Sequence, residues 1–162
     1  MATALVAGTI AAILYARLDL TLSHYDARAH LVVARRVIDC LTPGWRQLGA
    51  LWLPLPHLVN LVPVQWDLAY RTGFVGVGIS IVSLAWGLAA LARYLRRSGA
   101  TFWTSVIVPL GILANPNVLY LQSTPMTEPL LIGIALRALV AVGRLIDTDY
   151  RRVGRRADRR YR

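Results

Sequence analysis

The sequence predicts an all-α membrane protein with about four transmembrane helices and a polar external loop that contains interfacial amphipathic helices. Hydrophobic residues make up 56% of the 162 residues, which is more than a soluble domain of this size usually contains. The apolar residues are gathered in runs that approach or reach the length of a bilayer crossing. All 18 basic residues are arginines, and most of them lie at the ends of those runs.

The charge and cysteine content exclude other classes. A net charge of +10 invites a nucleic-acid interpretation. Because the arginines flank apolar runs, membrane topology explains them better, and no nucleic-acid partner is predicted. The single cysteine excludes an intramolecular disulfide and a zinc cluster built on cysteines.

The first apolar run covers residues 3–16 and extends at most to residue 22. It is short for a span, which needs roughly 20 residues. A signal peptide is the alternative, but no basic residue precedes the run. We therefore expect an uncleaved first transmembrane helix.

Residues 20–67 form the predicted external loop. Within residues 25–41, apolar side chains recur every three or four positions, which predicts an amphipathic helix beside the membrane. Thr42-Pro43-Gly44 is expected to end that helix. Residues 51–64 contain three prolines, which forbid one regular spanning helix. That segment predicts a short re-entrant or interfacial structure.

Three further spans are predicted, at residues 72–92, 101–121 and 130–146. Glycines in the second span allow close helix packing, and Pro109 predicts a kink in the third. Arg137 interrupts the fourth span, where a guanidinium needs a polar partner that the sequence does not identify. Residues 147–162 are dense in arginine and are expected to form a disordered cytoplasmic tail, so the transmembrane region ends at residue 146.

The arginines also predict the orientation in the cell membrane. The basic turn at residues 93–97 and the tail belong in the cytoplasm, which places both termini inside. The loop at residues 20–67 then lies outside, on the same side as the corner formed by Thr127 and Glu128. This agreement makes a shared extracytoplasmic site possible.

The candidate site residues are a small group of acids, histidines and arginines. Asp26 and His30 are four residues apart, which places both on one helical face. Such a pair could coordinate a metal, transfer a proton, bind a polar head group, or only form a hydrogen bond. Glu128 could act beside them or stabilise the start of a helix. His57 could bind a metal or a phosphate, or be a satisfied interfacial residue. Arg35 could hold a phosphate on the outer face, or belong to the polar face of the helix.

Two motifs resemble a known family. The first comprises Asp26, His30, Arg35-Arg36, Thr42-Pro43-Gly44, Gln47-Leu48-Gly49 and Trp52-Leu53-Pro54-Leu55-Pro56-His57. The second comprises Asn115-Pro116-Asn117, Tyr120, Gln122 and Thr124-Pro125-Met126-Thr127-Glu128-Pro129. Together they resemble the first external loop, and the segment after the third span, of GT-C-type membrane glycosyltransferases. The likeness is to members similar to protein mannosyltransferases and lipid A aminoarabinose transferases, and it covers residues 1–146.

The resemblance implies an enzyme that moves a sugar from a polyprenyl-phosphate carrier to an extracytoplasmic acceptor. Asp26 would match the essential carboxylate of the first external loop, and Glu128 a second acidic residue. His30, Arg35 or a divalent metal could neutralise the leaving phosphate. Members of the family usually have more spans, so the chain is expected to be an N-terminal portion that a missing C-terminal half or a partner subunit would complete.

Three other interpretations stay open. A small, non-catalytic helical membrane protein could use the same loop to bind lipid or a partner subunit. A nucleic-acid binder would depend on the arginine-rich tail. A small transporter would be expected to show an internal repeat, and none is visible in the spans.

Overall fold

A computed structural model describes residues 1–49 and 52–158. Side chains are described for residues 1–49 and 52–148. Within these residues the chain is helical and contains no strand. The helices, in chain order, are α1 (Ala2–Arg17), α2 (Tyr25–Arg36), α3 (Pro54–Asn60), α4 (Asp67–Thr72), α5 (Phe74–Arg97), α6 (Phe102–Leu113), α7 (Pro116–Gln122) and α8 (Glu128–Asp158). Short 3₁₀ turns occur at Trp45–Leu48 and Pro63–Gln65.

Among residues 1–49 and 52–158, two helices are long and apolar enough to cross a membrane. They are α5, with 24 residues, and the Glu128–Thr148 part of α8, with 21. The pair α6 and α7 would supply a third span if it crosses as one bent unit, while α1 is apolar but has only 16 residues. An all-helical protein with two or three candidate spans is therefore what the structure supports.

The third predicted span is broken near its far end. Helices α6 and α7 meet at an angle of 67°. The break precedes Pro116, which has no N–H and disfavours helical geometry in the residue before it. The side chain of Asn115 caps the new helix by accepting from the backbone amides of Asn117 and Val118. Pro109, where a kink was expected, lies inside α6.

Helices α5 and α8 pack against each other through glycines. A Cβ on Gly87 would lie 2.7 Å from the Cα of Gly133, and a Cβ on Gly133 would clash with the backbone carbonyl of Ser83. The two backbones therefore touch, as small residues permit in membrane proteins. Gly76 makes a close contact of its own, with Pro125 and Asn60. Gly78, which was also expected to allow close packing, has open space around it.

Arg137 has a partner that the sequence did not reveal. Its guanidinium carbon lies 4.1 Å from the ring centroid of Trp86 on α5. A cation over an aromatic face is stabilised by the ring quadrupole, most strongly where water is scarce. The contact explains how α8 carries a positive charge halfway along its apolar segment.

The loop helices gather at the end of the molecule where α5 and α8 begin. The buried residues of α2 are Ala27, His30, Leu31 and Ala34. Helix α2 ends at Arg36, before the predicted end at residue 41, because the chain turns back and the Gly44 amide donates to the carbonyl of Val37 at 2.9 Å. Pro54 then begins α3, while residues 50 and 51, part of the predicted interfacial segment, lie outside the described residues.

The C-terminal segment contains the predicted tail, and its disorder stays a prediction. Helix α8 continues without a break from the apolar segment to Asp158. Arginine is a good helix former, which is consistent with this continuation. Residues 159–162 of the predicted tail lie outside the described residues.

Candidate functional site

Two histidines from different helices form a hydrogen-bonded pair at the centre of the loop region. Nδ1 of His30 on α2 lies 3.0 Å from Nε2 of His57 on α3. Nδ1 of His57 lies 3.1 Å from the carbonyl oxygen of Leu53. Both rings are buried, His57 completely and His30 with 6% exposure. The pair joins α2 to α3.

The carbonyl fixes the tautomers of the neutral pair. A carbonyl oxygen only accepts, so Nδ1 of His57 carries the hydrogen and its Nε2 accepts. Nδ1 of His30 must then be the donor to that nitrogen, which leaves the lone pair of His30 on Nε2. His30 is thus oriented with its basic nitrogen directed away from His57.

Burial keeps this pair neutral. Removal from water lowers the pKa of His57, and the hydrogen bond to Leu53 opposes that shift only in part. Burial also lowers the pKa of His30, and the neighbouring His57 lowers it further. The ring of Trp52 covers the pair, with its centroid 4.6 Å from that of His30 and 6.0 Å from that of His57. Near neutral pH the two imidazoles therefore act as hydrogen-bonding groups and carry no net charge.

Two carboxylates from distant parts of the chain lie within electrostatic reach of His30. Asp26, one turn earlier on α2, and Glu128, the first residue of α8, both raise the pKa of His30 against the effect of burial. The side chain of Asp26 is 43% exposed, and its carboxylate lies 3.8 Å from Nδ1 of His24. Asp26 is therefore the acid of this group that an external molecule can reach.

Glu128 is held differently. Its Oε2 is buried and has no hydrogen-bond partner among the described residues. The segment that leads to it, predicted as a short polar connection, is also buried, from Gln122 to Met126. Ser80 of α5 donates to the carbonyl of Thr124 at 3.2 Å, which fixes this segment against the start of the span. A buried carboxylate oxygen without a hydrogen-bond partner is costly, and an enclosed water molecule is the donor that such a position would accept.

The sequence analysis did not identify the buried polar residue Asn60. Asn60, one turn after His57 on α3, is buried with its Oδ1 unpaired among the described residues. A Cβ on Gly76 would lie 3.2 Å from this oxygen and 2.6 Å from the Cβ of Pro125. Asn60 thus joins α3 to α5 and to the segment before Glu128. The spacing of three residues from His57 is the one signal that could have identified it.

Arg35 lies apart from the histidines. It donates to Asp39 at 2.8 Å and to Asp67 at 2.7 Å, and its guanidinium stacks on Tyr70 at 4.5 Å. The hydrogen bonds that Arg35 donates to these acids raise its pKa, and Arg35 in turn lowers the pKa of Asp67. This cation links α2 to α4, so its charge is already balanced by protein carboxylates.

Within residues 1–49 and 52–158, no group of three or more histidine, cysteine, aspartate or glutamate side chains is arranged to hold a metal ion. The divalent metal stays a prediction. Of the predicted site residues, Asp26, His30, His57 and Glu128 lie together, and Arg35 does not.

Comparison with protein-family models, with curated proteins and with solved structures gave no match.

Proposed function

We propose that this chain functions in a GT-C-type membrane glycosyltransferase, which transfers a sugar from a polyprenyl-phosphate donor to an acceptor outside the cytoplasm. The observation that carries the proposal is the convergence of Asp26, His30, His57 and Glu128 from three different helices. These are the residues that the family resemblance selects. A solvent-accessible carboxylate beside buried neutral imidazoles has the components of general base catalysis.

In the proposed reaction, Asp26 accepts the proton of the acceptor hydroxyl. The acceptor oxygen forms a bond to the anomeric carbon as the bond from that carbon to the carrier phosphate breaks. The carrier phosphate, still attached to its lipid, leaves with the electron pair of the broken bond. His30 and His57 are too buried to meet the acceptor directly, so they position the site around Asp26. Glu128, whose Oε2 is buried, acts on the site through its charge, which raises the pKa of His30.

A lipid carrier is supported by an apolar groove between α1 and the pair α6–α7. Its volume is about 540 Å³, and its lining includes Ile10, Leu14, Leu110 and Leu119. Next to it the rings of Tyr15 and Tyr120 lie 5.6 Å apart. The hydroxyl of Tyr120 is 3.0 Å from Oγ of Ser23, three residues before Asp26. The groove thus leads from the apolar helices toward the start of α2.

The proposed topology has four spans, cytoplasmic termini and an extracytoplasmic loop in the plasma membrane. Its support is the separation of charge along α5. Arg96 and Arg97 end this helix, and the candidate site lies at its beginning. Helix α8 runs parallel to α5, since Gly133 meets Gly87 and Gly143 contacts Tyr94 near that basic end. Arginines at one end and the site at the other agree with the positive-inside rule.

Transfer assays with membranes that contain the full chain test the proposal. A panel of polyprenyl-phosphate sugars would be offered to the wild type, to Asp26→Asn and to a matched control, Asp19→Asn. Asp19 is exposed and has a φ of 56°, a conformation that asparagine tolerates. We expect transfer by the wild type and the control, and a loss of at least about 100-fold in Asp26→Asn, as for removal of a general base.

Equal activity in Asp26→Asn would reject Asp26 as the base. If the wild type transfers no sugar and Asp26→Asn keeps the same stability and lipid binding, the non-catalytic interpretation is favoured. The same assay repeated with added chelator tests the predicted metal, because a metal-dependent reaction would stop and recover when Mg²⁺ or Mn²⁺ is restored.

A further inference from the structure

A second pocket lies between α2 and α4, away from the histidine pair. It has a volume of about 340 Å³ and is lined by Leu22, Arg28, Leu31, Val32, Tyr70 and Arg71. Arg28 and Val32 follow Asp26 and His30 by two positions each, which turns them about 200° around the helix. The pocket therefore uses the opposite face of α2.

The lining combines two cations with an apolar floor and includes no carboxylate. Arg28 donates through Nε to the carbonyl of Leu22 at 2.6 Å, which orients its guanidinium and leaves the terminal nitrogens for a ligand. Arg71 takes part in none of the ion pairs among the described residues. The nearby Asp67 is already paired with Arg35. The positive charge of the pocket is thus not balanced by the groups that line it.

The position of Arg71 indicates the kind of anion. Helix α4 ends at Thr72, and a single glycine, Gly73, separates it from α5, which is long enough to cross a bilayer. Arg71 therefore lies just outside the apolar segment, at the depth of lipid head groups. Planar guanidinium groups bind phosphate oxygens in a bidentate manner, and an apolar floor suits the carbons next to a phosphate ester.

We infer that this pocket binds the phosphate ester of an anionic lipid head group, with Arg28 and Arg71 on the phosphate and Leu22 and Val32 against the adjoining carbons. The inference depends on α5 as a span and does not depend on sugar transfer. A failed transferase assay would leave it standing, and its own failure would leave the transferase proposal unchanged.

Native mass spectrometry of the detergent-solubilised full chain tests the inference. Phosphatidylglycerol and diacylglycerol with the same acyl chains would be titrated into the wild type, Arg28→Gln, Arg71→Gln and the double variant. Arg36→Gln is the matched control, since Arg36 is an exposed arginine of α2 outside the pocket. We expect one tight phosphatidylglycerol site, weakened about tenfold in each single variant, further weakened in the double variant and unchanged in the control.

The other probes distinguish phosphate recognition from general lipid binding. Diacylglycerol should bind weakly and equally to all variants. Inorganic phosphate that displaces phosphatidylglycerol from the wild type would support recognition of phosphate itself, with a free phosphate as a second source. Equal binding of the two lipids, no loss in the double variant, or an equal loss in Arg36→Gln would overturn the inference. Arg71→Gln breaks no hydrogen bond of the described structure, and an unchanged helical circular dichroism spectrum would verify its fold.

Discussion

The paired helices α5 and α8 and the loop helices α2–α4 are held together by different forces. Between α5 and α8 the backbones touch at Gly87 and Gly133, and the guanidinium of Arg137 is paired with the aromatic face of Trp86. Among the loop helices, a small apolar cluster formed by Leu31, Ala34 and Val64 is joined by hydrogen-bonded histidines and ion pairs. The first region depends on shape and the second on protonation, so different perturbations should affect each one.

The largest expected effect comes from filling the contact between α5 and α8. Gly133→Leu would place a side chain against the backbone of Ser83, which cannot move aside as a flexible side chain can. We expect a loss of about 3 kcal/mol in the free energy of unfolding, the upper end for overpacking. Unfolding in mixed micelles, followed by circular dichroism, would measure it. Gly78→Leu is the control, because that position is open, and a similar loss there would contradict the packing explanation.

The next effect tests the loop region. His57→Phe keeps an aromatic ring but leaves the buried N–H of His30 without its acceptor. An unpaired buried donor costs roughly 1–3 kcal/mol, so we expect a loss of about 2 kcal/mol. The same unfolding assay applies, with His24→Asn as the control. His24 is exposed and caps α2, a role in which asparagine serves well. A stable His57→Phe protein would show that the hydrogen bond is unimportant.

Acid should separate the two regions. Burial lowers the pKa of both His30 and His57, while an unfolded histidine binds a proton near pH 6.5. Below about pH 6.5 the unfolded chain therefore binds more protons, and stability falls as the pH falls toward the folded pKa values, by at most about 1.4 kcal/mol per pH unit for each ring. Asp26 and Glu128 raise the pKa of His30 and so reduce this loss of stability, whereas His24 lowers that pKa and increases the loss.

Thermal unfolding of the wild type and of His57→Phe between pH 7.5 and 5.5 would measure the acid effect. The variant has one buried histidine fewer, so its stability should depend less steeply on pH. The Gly133→Leu variant keeps both histidines, and its pH dependence should match that of the wild type. Identical slopes for wild type and His57→Phe would exclude the buried pair as the source of acid sensitivity.

The smallest effect is expected from Arg35→Gln. Its acidic partners are well exposed, with side-chain exposures of 60% for Asp39 and 64% for Asp67, so water and salt screen the pairs. We expect a small loss of stability that shrinks further in high salt, together with a rise in the pKa of Asp67 toward its usual value. Titration of Asp67 by NMR would measure that rise. A loss as large as that of His57→Phe would mean that Arg35 holds the loop as firmly as the histidines do.

The sequence predicted the helices better than their contacts. Run length and composition were enough to predict α5 and the apolar part of α8, and the spacing of Leu31 and Ala34 identified the buried face of α2. The proposed gathering of Asp26, His30, His57 and Glu128 followed from the order of the predicted spans and from the side of the membrane to which each connecting segment was assigned. Their pairing did not, because the bond between His30 and His57 depends on how α3 docks against α2, which is a tertiary event.

The partners of Arg35 and Arg137 show the same limit. Both arginines were recognised as charges that needed explanation, but a cation can pair with a carboxylate, a phosphate or an aromatic face. Only the fold shows that Arg35 meets Asp67 and that Arg137 meets Trp86. The close contact at Gly133 was equally hidden, since nothing in the α8 sequence distinguishes it from glycines that face open space, such as Gly78 in α5.

The glycine contact between α5 and α8 also fixes the position of Glu128 along the axis of α5. Because the two backbones touch at Gly87 and Gly133, α8 cannot slide along α5, and Glu128 is held at one level beside the loop helices. A slip of one helical turn would move Glu128 by about 5.4 Å. That distance would carry the carboxylate away from His30, and the pKa of His30 would fall further. The contact between Gly87 and Gly133 in the apolar part of the two helices thus fixes how close Glu128 lies to His30.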